Sequence, residues 1–277
     1  MAKVPLRYGL MGLAIATAVC AGVTTAPAAS ASNSSDLSIL ALGDSVASGA
    51  GLPLVTSATP EDQACARSSQ AYVQFVAQIK GLTARNLACS GATTFQGVLG
   101  PQPTPIGDVA SQLWRAYQGP RPGKVVTTIA ANDVNWTGFL QSCLGASNCA
   151  TGANTTQFHQ LLKQARCGMM LVMSGIEDLH PQSIYVTGYY DPFDGNVVTP
   201  AQLGFTPEEV AWYQARRDEL NTMLRQTTQM FPLAHFVALE FPDQSTTQLV
   251  QGPSDPAPFH PSAAGQQLIA HDVVAAM

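Results

Sequence analysis

Residues 37–51 read LSILALGDSVASGAG, and in this stretch an apolar run ends at Gly43, Asp44 and Ser45. A short and almost wholly apolar run is typical of a strand that is buried on both faces of a parallel sheet. Ligands bind at the carboxyl ends of such strands, so we expect the Ser45 hydroxyl to face a crevice at the sheet edge. Use of Ser45 as a simple helix cap is the structural alternative.

Further apolar runs alternate with helical stretches along the rest of the chain. This pattern predicts an α/β domain with a central, mostly parallel sheet covered by helices on both faces. The predicted strands are Leu37–Leu42, Ala84–Ala88, Lys124–Ala130, Ser183–Gly188 and His235–Glu240. The predicted helices are Gln70–Lys80, Val109–Tyr117, Phe158–Leu179, Pro207–Met230 and Ser262–Ala276. The segments Gly97–Gly107 and Asp191–Leu203, rich in Pro and Gly, are predicted to be surface loops.

The first residues have the features of a secretory signal peptide. Two basic residues precede an apolar stretch from Tyr8 to Val23, and Ala29-Ser30-Ala31 offers small residues for cleavage. We therefore predict a signal peptide over 1–31 and a mature domain over 32–277. Because the residues before Cys20 do not form a lipoprotein signal, we expect a freely secreted, extracellular protein.

Charge and hydropathy exclude two classes of protein. Without the two basic residues of the predicted leader, 11 basic residues face 18 acidic ones, and no Lys or Arg cluster occurs. Nucleic acid is therefore not an expected partner. No second apolar run approaches the ~20 residues of a transmembrane helix. We expect a monomer that acts on a small-molecule or lipid substrate.

Five cysteines follow the predicted leader: Cys65, Cys89, Cys143, Cys149 and Cys167. An oxidising compartment favours disulfides, and several pairings that leave one thiol over are possible. A metal site is the alternative, but the sequence has no CxxC motif or nearby pair of histidines to support it. We expect neither a metal nor an organic cofactor.

Three segments beyond Ser45 carry groups suited to acyl transfer. His260 precedes a predicted helix start, from which a loop histidine can take a proton from a serine. Gly91 follows the second strand and can expose its backbone N–H, and the Asn132 amide follows the third. Such donors, aimed at one point, form an oxyanion hole. Taken singly, each segment is also explained as an ordinary turn or cap.

These four blocks resemble the SGNH, or GDSL, hydrolase family, and they occur in the order typical of that family. They are Gly43-Asp44-Ser45, Gly91 after strand two, Asn132-Asp133 after strand three, and His260-Pro261 near the end. The similarity is greatest to secreted actinobacterial lipases and esterases. It implies a flavodoxin-like, three-layer α/β/α sandwich. No Gly-x-Ser-x-Gly pentapeptide occurs, which argues against the α/β-hydrolase fold.

The resemblance also implies a role for each matching residue. Ser45 is the expected nucleophile, and His260 is the expected base and acid. The Ser45 N–H, the Gly91 N–H and the Asn132 side chain are the expected oxyanion donors. In the related secreted enzymes cysteine pairs flank the second block and follow the third, so the expected disulfides are Cys65–Cys89 and Cys143–Cys149, with Cys167 free.

Two positions depart from the family pattern. Ala130 stands where the third block usually has Gly, and a methyl group fits there if the φ angle is negative. Ala257 stands where an Asp usually orients the histidine. Either Asp255, five residues before His260, reaches the imidazole as a third catalytic residue, or a main-chain carbonyl replaces it in a Ser-His dyad.

Other residues are given weaker interpretations. Asp44 and Asp133 are expected to hold their loops by hydrogen bonds to nearby N–H groups. Trp136, Phe139 and Phe259 flank the expected site and either line an acyl groove or belong to the core. The remaining histidines lack motif neighbours and are interpreted as structural: His159, His180, His235 and His271.

The sequence thus predicts a secreted serine esterase or lipase that forms an acyl-enzyme on Ser45. Two alternatives stay open. One is a carbohydrate acetylesterase of the same fold, and the other is a catalytically silent secreted binding protein.

Overall fold

The structure is a computed structural model that describes residues 37–144, 148–195, 198–242 and 247–277. The described residues belong to one compact unit. The predicted signal peptide lies outside the described residues. Within the described ranges, no helix is both long enough and apolar enough to cross a bilayer.

The centre of the fold is a parallel sheet. The strands are β1 Leu37–Gly43, β2 Ala84–Asn86, β3 Gln102–Thr104, β4 Gly107–Val109, β5 Pro122–Thr128, β6 Ser183–Thr187 and β7 Ala234–Val237. Five of them pair in the order β2-β1-β5-β6-β7, and every pairing is parallel. Strands β3 and β4 form a separate antiparallel pair. The predicted α/β class is therefore confirmed.

Helices flank this sheet. They are α1 Ser45–Ser48, α2 Pro60–Ala64, α3 Tyr72–Lys80, α4 Gln112–Tyr117, α5 Trp136–Leu144, α6 Gly152–Glu177, α7 Pro207–Thr228 and α8 Ala263–Ala275, with a 3-10 turn at Pro200–Leu203. Helix α3 packs with α8, and α6 packs with α7. The two helix pairs and the sheet make the expected three-layer α/β/α sandwich.

Strand β1 is buried on both faces. Residues 39–42 are at most 1% exposed, with no alternation between a buried and an exposed side. A strand covered on both faces has this pattern, because neighbouring side chains point to opposite faces of the sheet. The apolar run therefore places residue 43 at the end of a central strand.

Several predicted boundaries differ from those observed. Helix α6 begins at Gly152, six residues before the predicted start at Phe158, because the Thr151 hydroxyl caps it by accepting from Asn154 N–H at 3.1 Å. It then runs without a break. The predicted loop Gly97–Gly107 contains β3 and the start of β4. Helices α2 and α5 were not predicted.

The chain turns sharply where β1 ends. Gly43 has a φ of +135°, and a Cβ there would lie 2.1 Å from the Thr128 carbonyl oxygen. The next residue, Asp44, donates its N–H to that same oxygen at 2.9 Å. Only glycine allows this approach between the ends of β1 and β5. The turn directs the chain into α1, whose first residue is Ser45.

Ala130 does not meet the condition under which a methyl group fits at this position, a negative φ angle. Its φ is +109°, a region in which a Cβ atom is strained, and its side chain is fully buried. The glycine usual in this block would adopt the same angle without strain. The methyl group is thus retained at a conformational cost, and not because the backbone has changed to suit it.

We expect Ala130→Gly to raise the free energy of unfolding by about 0.5–1 kcal/mol. The change removes about 1–2 kcal/mol of left-handed strain and adds a smaller loss of chain entropy. Chemical denaturation measures the difference. The control is Ala131→Gly, next to it and without a positive φ, which we expect to be destabilising. Equal destabilisation by both changes would contradict the assignment of strain to Ala130.

Candidate active site

The structure brings Ser45 and His260 into direct contact. The His260 Nε2 lies 2.7 Å from the Ser45 Oγ, although 215 positions separate the two residues. Ser45 is half-buried at the start of α1, between fully buried neighbours. The crevice at the carboxyl end of β1 is therefore where the serine and the histidine meet, as the sequence predicted.

The second ring nitrogen of His260 determines its tautomer. Nδ1 lies 3.2 Å from the Pro258 carbonyl oxygen, which can only accept a hydrogen bond. Nδ1 must therefore carry the proton in the neutral ring. This leaves the Nε2 lone pair to accept the hydrogen of the Ser45 hydroxyl, which is the arrangement that a general base requires.

The structure does not bring Asp255 to His260. The exposed Asp255 carboxylate accepts from Gly252 N–H at 2.7 Å, within its own turn. The Asp255 N–H in turn donates to the Gly252 carbonyl at 3.0 Å. This local turn holds the carboxylate. The Pro258 carbonyl lies beside the imidazole Nδ1, in the place that an acidic third catalytic residue would take. Of the two predicted arrangements, the geometry corresponds to the main-chain carbonyl.

Of the three residues expected to donate to an oxyanion, Ser45 and Asn132 line the cleft beside His260, and Gly91 does not. The Ser45 N–H is the first of α1, and in the described structure it donates no hydrogen bond to the protein. The same holds for Gly91, which is exposed at a φ of +81°. Asn132 lines the cleft, and its Nδ2 donates one hydrogen to the Ala92 carbonyl at 2.8 Å. That bond leaves the second amide hydrogen available.

Two aspartates join the motif loops to each other. Asp44 accepts from Val46 N–H at 2.9 Å and from the Tyr189 hydroxyl, which itself accepts from Ala131 N–H at 3.0 Å. Asp133 accepts from the backbone N–H and the hydroxyl of Thr94 in the neighbouring loop. Both carboxylates therefore hold loops, as expected, and they do so over long sequence distances.

Burial shifts the pKa values of these groups. Burial raises the pKa of Asp44 to about 7, against the opposing effect of its bonds from Tyr189 and Val46. The pKa of Asp133 is raised by burial too, and its bonds from Thr94 oppose the rise. Burial lowers the pKa of His260, while the carbonyls of Pro258 and Ala257 act to raise it. A lowered pKa keeps His260 in its free-base form at neutral pH.

Both expected disulfides are present. Cys65–Cys89 joins positions 24 apart, and Cys89 lies two residues before Gly91. Cys143–Cys149 joins the last turn of α5 to the segment before α6. The Cys65 carbonyl also accepts from Ser90 N–H at 3.0 Å, and Cys89 N–H donates to the Gly43 carbonyl at 3.0 Å. The disulfide Cys65–Cys89 therefore ties the Gly91 loop to the end of α2, and the Cys89 N–H ties it to the end of β1. Cys167 is not part of either of these two disulfides.

A narrow cleft of about 80 Å³ opens beside Ser45 and His260. Trp136 and Phe259 line it, as one interpretation of these residues predicted. Phe139 does not, because it is buried in the core against the ring of Trp212 at 5.4 Å. The other walls of the cleft are largely apolar and include Thr137, Leu140, Tyr190, Pro192 and Pro258.

Tyr189 and Tyr190 belong to this site, and sequence reasoning did not find them. They follow the end of β6 at Thr187, so their place at the carboxyl edge of the sheet is a signal that was available. The Tyr190 hydroxyl donates to the Phe259 carbonyl at 2.7 Å and so contacts the loop that carries His260. The histidines interpreted as structural do not line the cleft.

Solved structures share this architecture. An extracellular lipase from Streptomyces rimosus is 21% identical and superposes with a TM-score of 0.69, over 87% of this chain and 99% of its own. A phospholipase A1 from Streptomyces albidoflavus NA297 is 20% identical with a TM-score of 0.63, over 88% and 100%. At these identities the likeness concerns the fold alone. A comparison with curated protein sequences gave no match.

A comparison with family models agrees with the motifs of the sequence and with the geometry of the site. The model of the GDSL-like lipase/acylhydrolase family matches residues 41–268, a span that contains all four blocks. The chain therefore belongs to the GDSL-like lipase/acylhydrolase family and is, with that family, a carboxylic ester hydrolase.

Proposed function

We propose that this protein is a secreted serine esterase for short-chain carboxylic esters, with Ser45 as nucleophile and His260 as base. The observation that carries the proposal is the 2.7 Å contact between the His260 Nε2 and the Ser45 Oγ. The tautomer imposed by the Pro258 carbonyl supports it, because the nitrogen that faces the hydroxyl is the one that lacks a proton.

The reaction proceeds in two halves. The Ser45 oxygen attacks the ester carbonyl carbon while its proton moves to the His260 Nε2. The tetrahedral oxyanion accepts hydrogen bonds from the Ser45 N–H, the Gly91 N–H and the free Asn132 amide hydrogen. Collapse breaks the bond to the leaving alkoxide, which takes the proton from the imidazolium. Water, deprotonated by the same ring, then releases the acid and restores Ser45.

The site works as a Ser-His dyad. The Pro258 carbonyl orients the ring and stabilises the imidazolium as a dipole, where a carboxylate would act as a full charge. Asp255 has no part in the reaction, because its carboxylate is bound in the Gly252 turn.

The small size of the cleft favours a substrate with a short acyl group. The cleft volume of about 80 Å³ lies well below the ~300–1,000 Å³ of pockets that hold larger ligands. Since such a cleft also admits an acetyl group, an acetylated carbohydrate is the second candidate substrate. Acetylated xylo-oligosaccharides and nitrophenyl esters, compared by kcat/KM, separate the two.

Export is part of the proposal. Two disulfides within one domain are typical of an oxidising compartment. The signal-like residues 1–31 supply the targeting segment. Detection of a mature chain that begins near Ser32 in the culture medium tests this.

Labelling with a fluorophosphonate tests the nucleophile. We expect one covalent adduct on Ser45, located by mass spectrometry, and no adduct in Ser45→Ala. His260→Ala should lower kcat by roughly 10³-fold, because general-base assistance is lost. An unlabelled wild-type protein that hydrolyses no nitrophenyl ester would instead support a silent binding protein.

Asp255→Asn is the matched test of the dyad. We expect kcat within about twofold of the wild-type value, since general acid-base effects of a true catalytic group reach ~10²-fold or more. A loss of that size would show that Asp255 moves to the imidazole during turnover.

The pH profile follows from the state of His260. Because burial lowers its pKa, kcat/KM should rise with pH and reach its plateau after an inflection below about 6.5, the ordinary value for histidine. Asp44→Asn removes the other group expected to titrate near neutrality. If the rise persists in Asp44→Asn, the inflection belongs to His260, and its disappearance would assign the titration to Asp44.

Acyl-chain preference tests the cleft. We expect acetyl and butyryl nitrophenyl esters to be cleaved with a higher kcat/KM than the decanoyl ester. Leu140→Ala should move the preference toward longer chains, because Leu140 lines the cleft. Leu144→Ala is the control, one turn further along α5 and 48% exposed. An identical preference in all three proteins would place the acyl group elsewhere.

A further inference from the structure

The side chain of Gln251 joins two segments that meet at the active site. These are the Ser45 segment, residues 43–51, and the histidine loop, residues 251–261. The Gln251 Nε2 donates to the Ala50 carbonyl at 2.8 Å and to the Pro261 carbonyl at 3.1 Å. Its Oε1 accepts from Ala257 N–H at 3.3 Å. The residue is 4% exposed, so these bonds are shielded from water.

The backbone of Gln251 also forms hydrogen bonds to the backbone of His260 and of the residue before it. The Gln251 N–H donates to the His260 carbonyl at 2.6 Å, and the Gln251 carbonyl accepts from Phe259 N–H at 2.9 Å. Phe259 has a φ of +65°, which is strained for a bulky residue. Strained backbone persists only where surrounding contacts determine it, and Gln251 supplies one of those contacts.

The Ser45 segment is shaped to admit this side chain. Gly51 has a φ of +83°, and a Cβ there would lie 2.2 Å from the Gln251 Oε1. The third glycine of the opening stretch therefore serves the approach of Gln251. A larger residue would displace the amide from the Ala50 carbonyl.

Glutamine is the side chain that this position requires. Two of its partners are carbonyls and need N–H donors, while the third is an N–H and needs an acceptor, so one amide satisfies all three. A carboxylate would lack the donors. In the described structure the other buried glutamines also bind main chain at the site loops: Gln112 at Gly43, Gln266 at Val46 and Gln102 at Ser90.

We propose that Gln251 is the positioning residue that holds His260 against Ser45, in the absence of an acidic residue at position 257. The inference rests on the proposed Ser45-His260 mechanism. Gln251 does not line the cleft, so its effect reaches the substrate through the two segments that it joins, the Ser45 segment and the histidine loop. A displacement of the base by about 1 Å typically costs ~10²-fold in rate.

Gln251→Met tests the proposal, because methionine keeps the length of the side chain and removes the amide. We expect kcat and the rate of fluorophosphonate labelling at Ser45 to fall about 10–100-fold. KM should stay within about twofold, since no cleft contact is lost. Circular dichroism and thermal unfolding verify that the variant measured is folded.

Thr228→Val is the control. It removes a buried hydroxyl that donates to a main-chain carbonyl, that of Leu224 at 2.8 Å within α7, and Thr228 does not line the cleft. We expect a comparable fall in thermal stability with a change in kcat below about threefold. An equal loss of kcat in both variants, or wild-type kcat in folded Gln251→Met, would overturn the proposal.

Gln251→Glu gives a second readout, used also if the methionine variant does not fold. The protonated acid keeps one donor at low pH, whereas the ionised carboxylate faces the Ala50 and Pro261 carbonyls with none. We expect kcat/KM of this variant to decline with rising pH over the range in which the wild-type pH profile is flat. A parallel profile would overturn the proposal. Failure of the wild-type protein to label at Ser45 would instead remove the proposed function, and this inference with it.

Discussion

The hydrogen bond between the His260 Nε2 and the Ser45 Oγ joins residues 215 positions apart, and the other features of the site serve to maintain it. A parallel sheet makes such a meeting possible, because the carboxyl ends of its strands lie along one edge. β1 brings Ser45 to that edge, and Gly43 allows the turn that exposes the hydroxyl. The histidine approaches from a loop after the last strand, so main-chain and side-chain bonds must determine its place.

The electrostatics of the site depend on neutral groups more than on charges. The Pro258 carbonyl orients His260 where a carboxylate would hold the imidazolium more strongly. Burial without a charged partner lowers the pKa of the ring, so the base is free at neutral pH but is a weaker base. Buried glutamines hold the surrounding loops without adding charge near the expected oxyanion. Asp44 is the buried acid beside them, and the Tyr189 hydroxyl compensates its burial.

Features that depend on local contacts were predicted well. Helix α7 begins at Pro207, as predicted, because Thr206 and Glu209 form a capping box before it. The unbroken apolar run of β1 indicated burial on both faces. Two predictions failed, for different reasons. The antiparallel pair of β3 and β4 forms in a segment whose Pro and Gly content indicated a loop. Ala130 has a positive φ in the loop after β5, which two bonds to other elements hold: Ala131 N–H to the Tyr189 hydroxyl, and Thr94 N–H to the Asp133 carboxylate.

The sequence by itself determined the α/β class, because that follows from local periodicity. The resemblance of its four blocks to the GDSL family indicated Ser45, Asn132 and His260 as the residues to be brought together. The sequence left open whether Asp255 or a carbonyl holds the imidazole. Only the tertiary structure decided this, by placing Asp255 in its own turn and Pro258 beside the ring. The same holds for Gln251, since nothing local marks an amide whose partners lie on another segment.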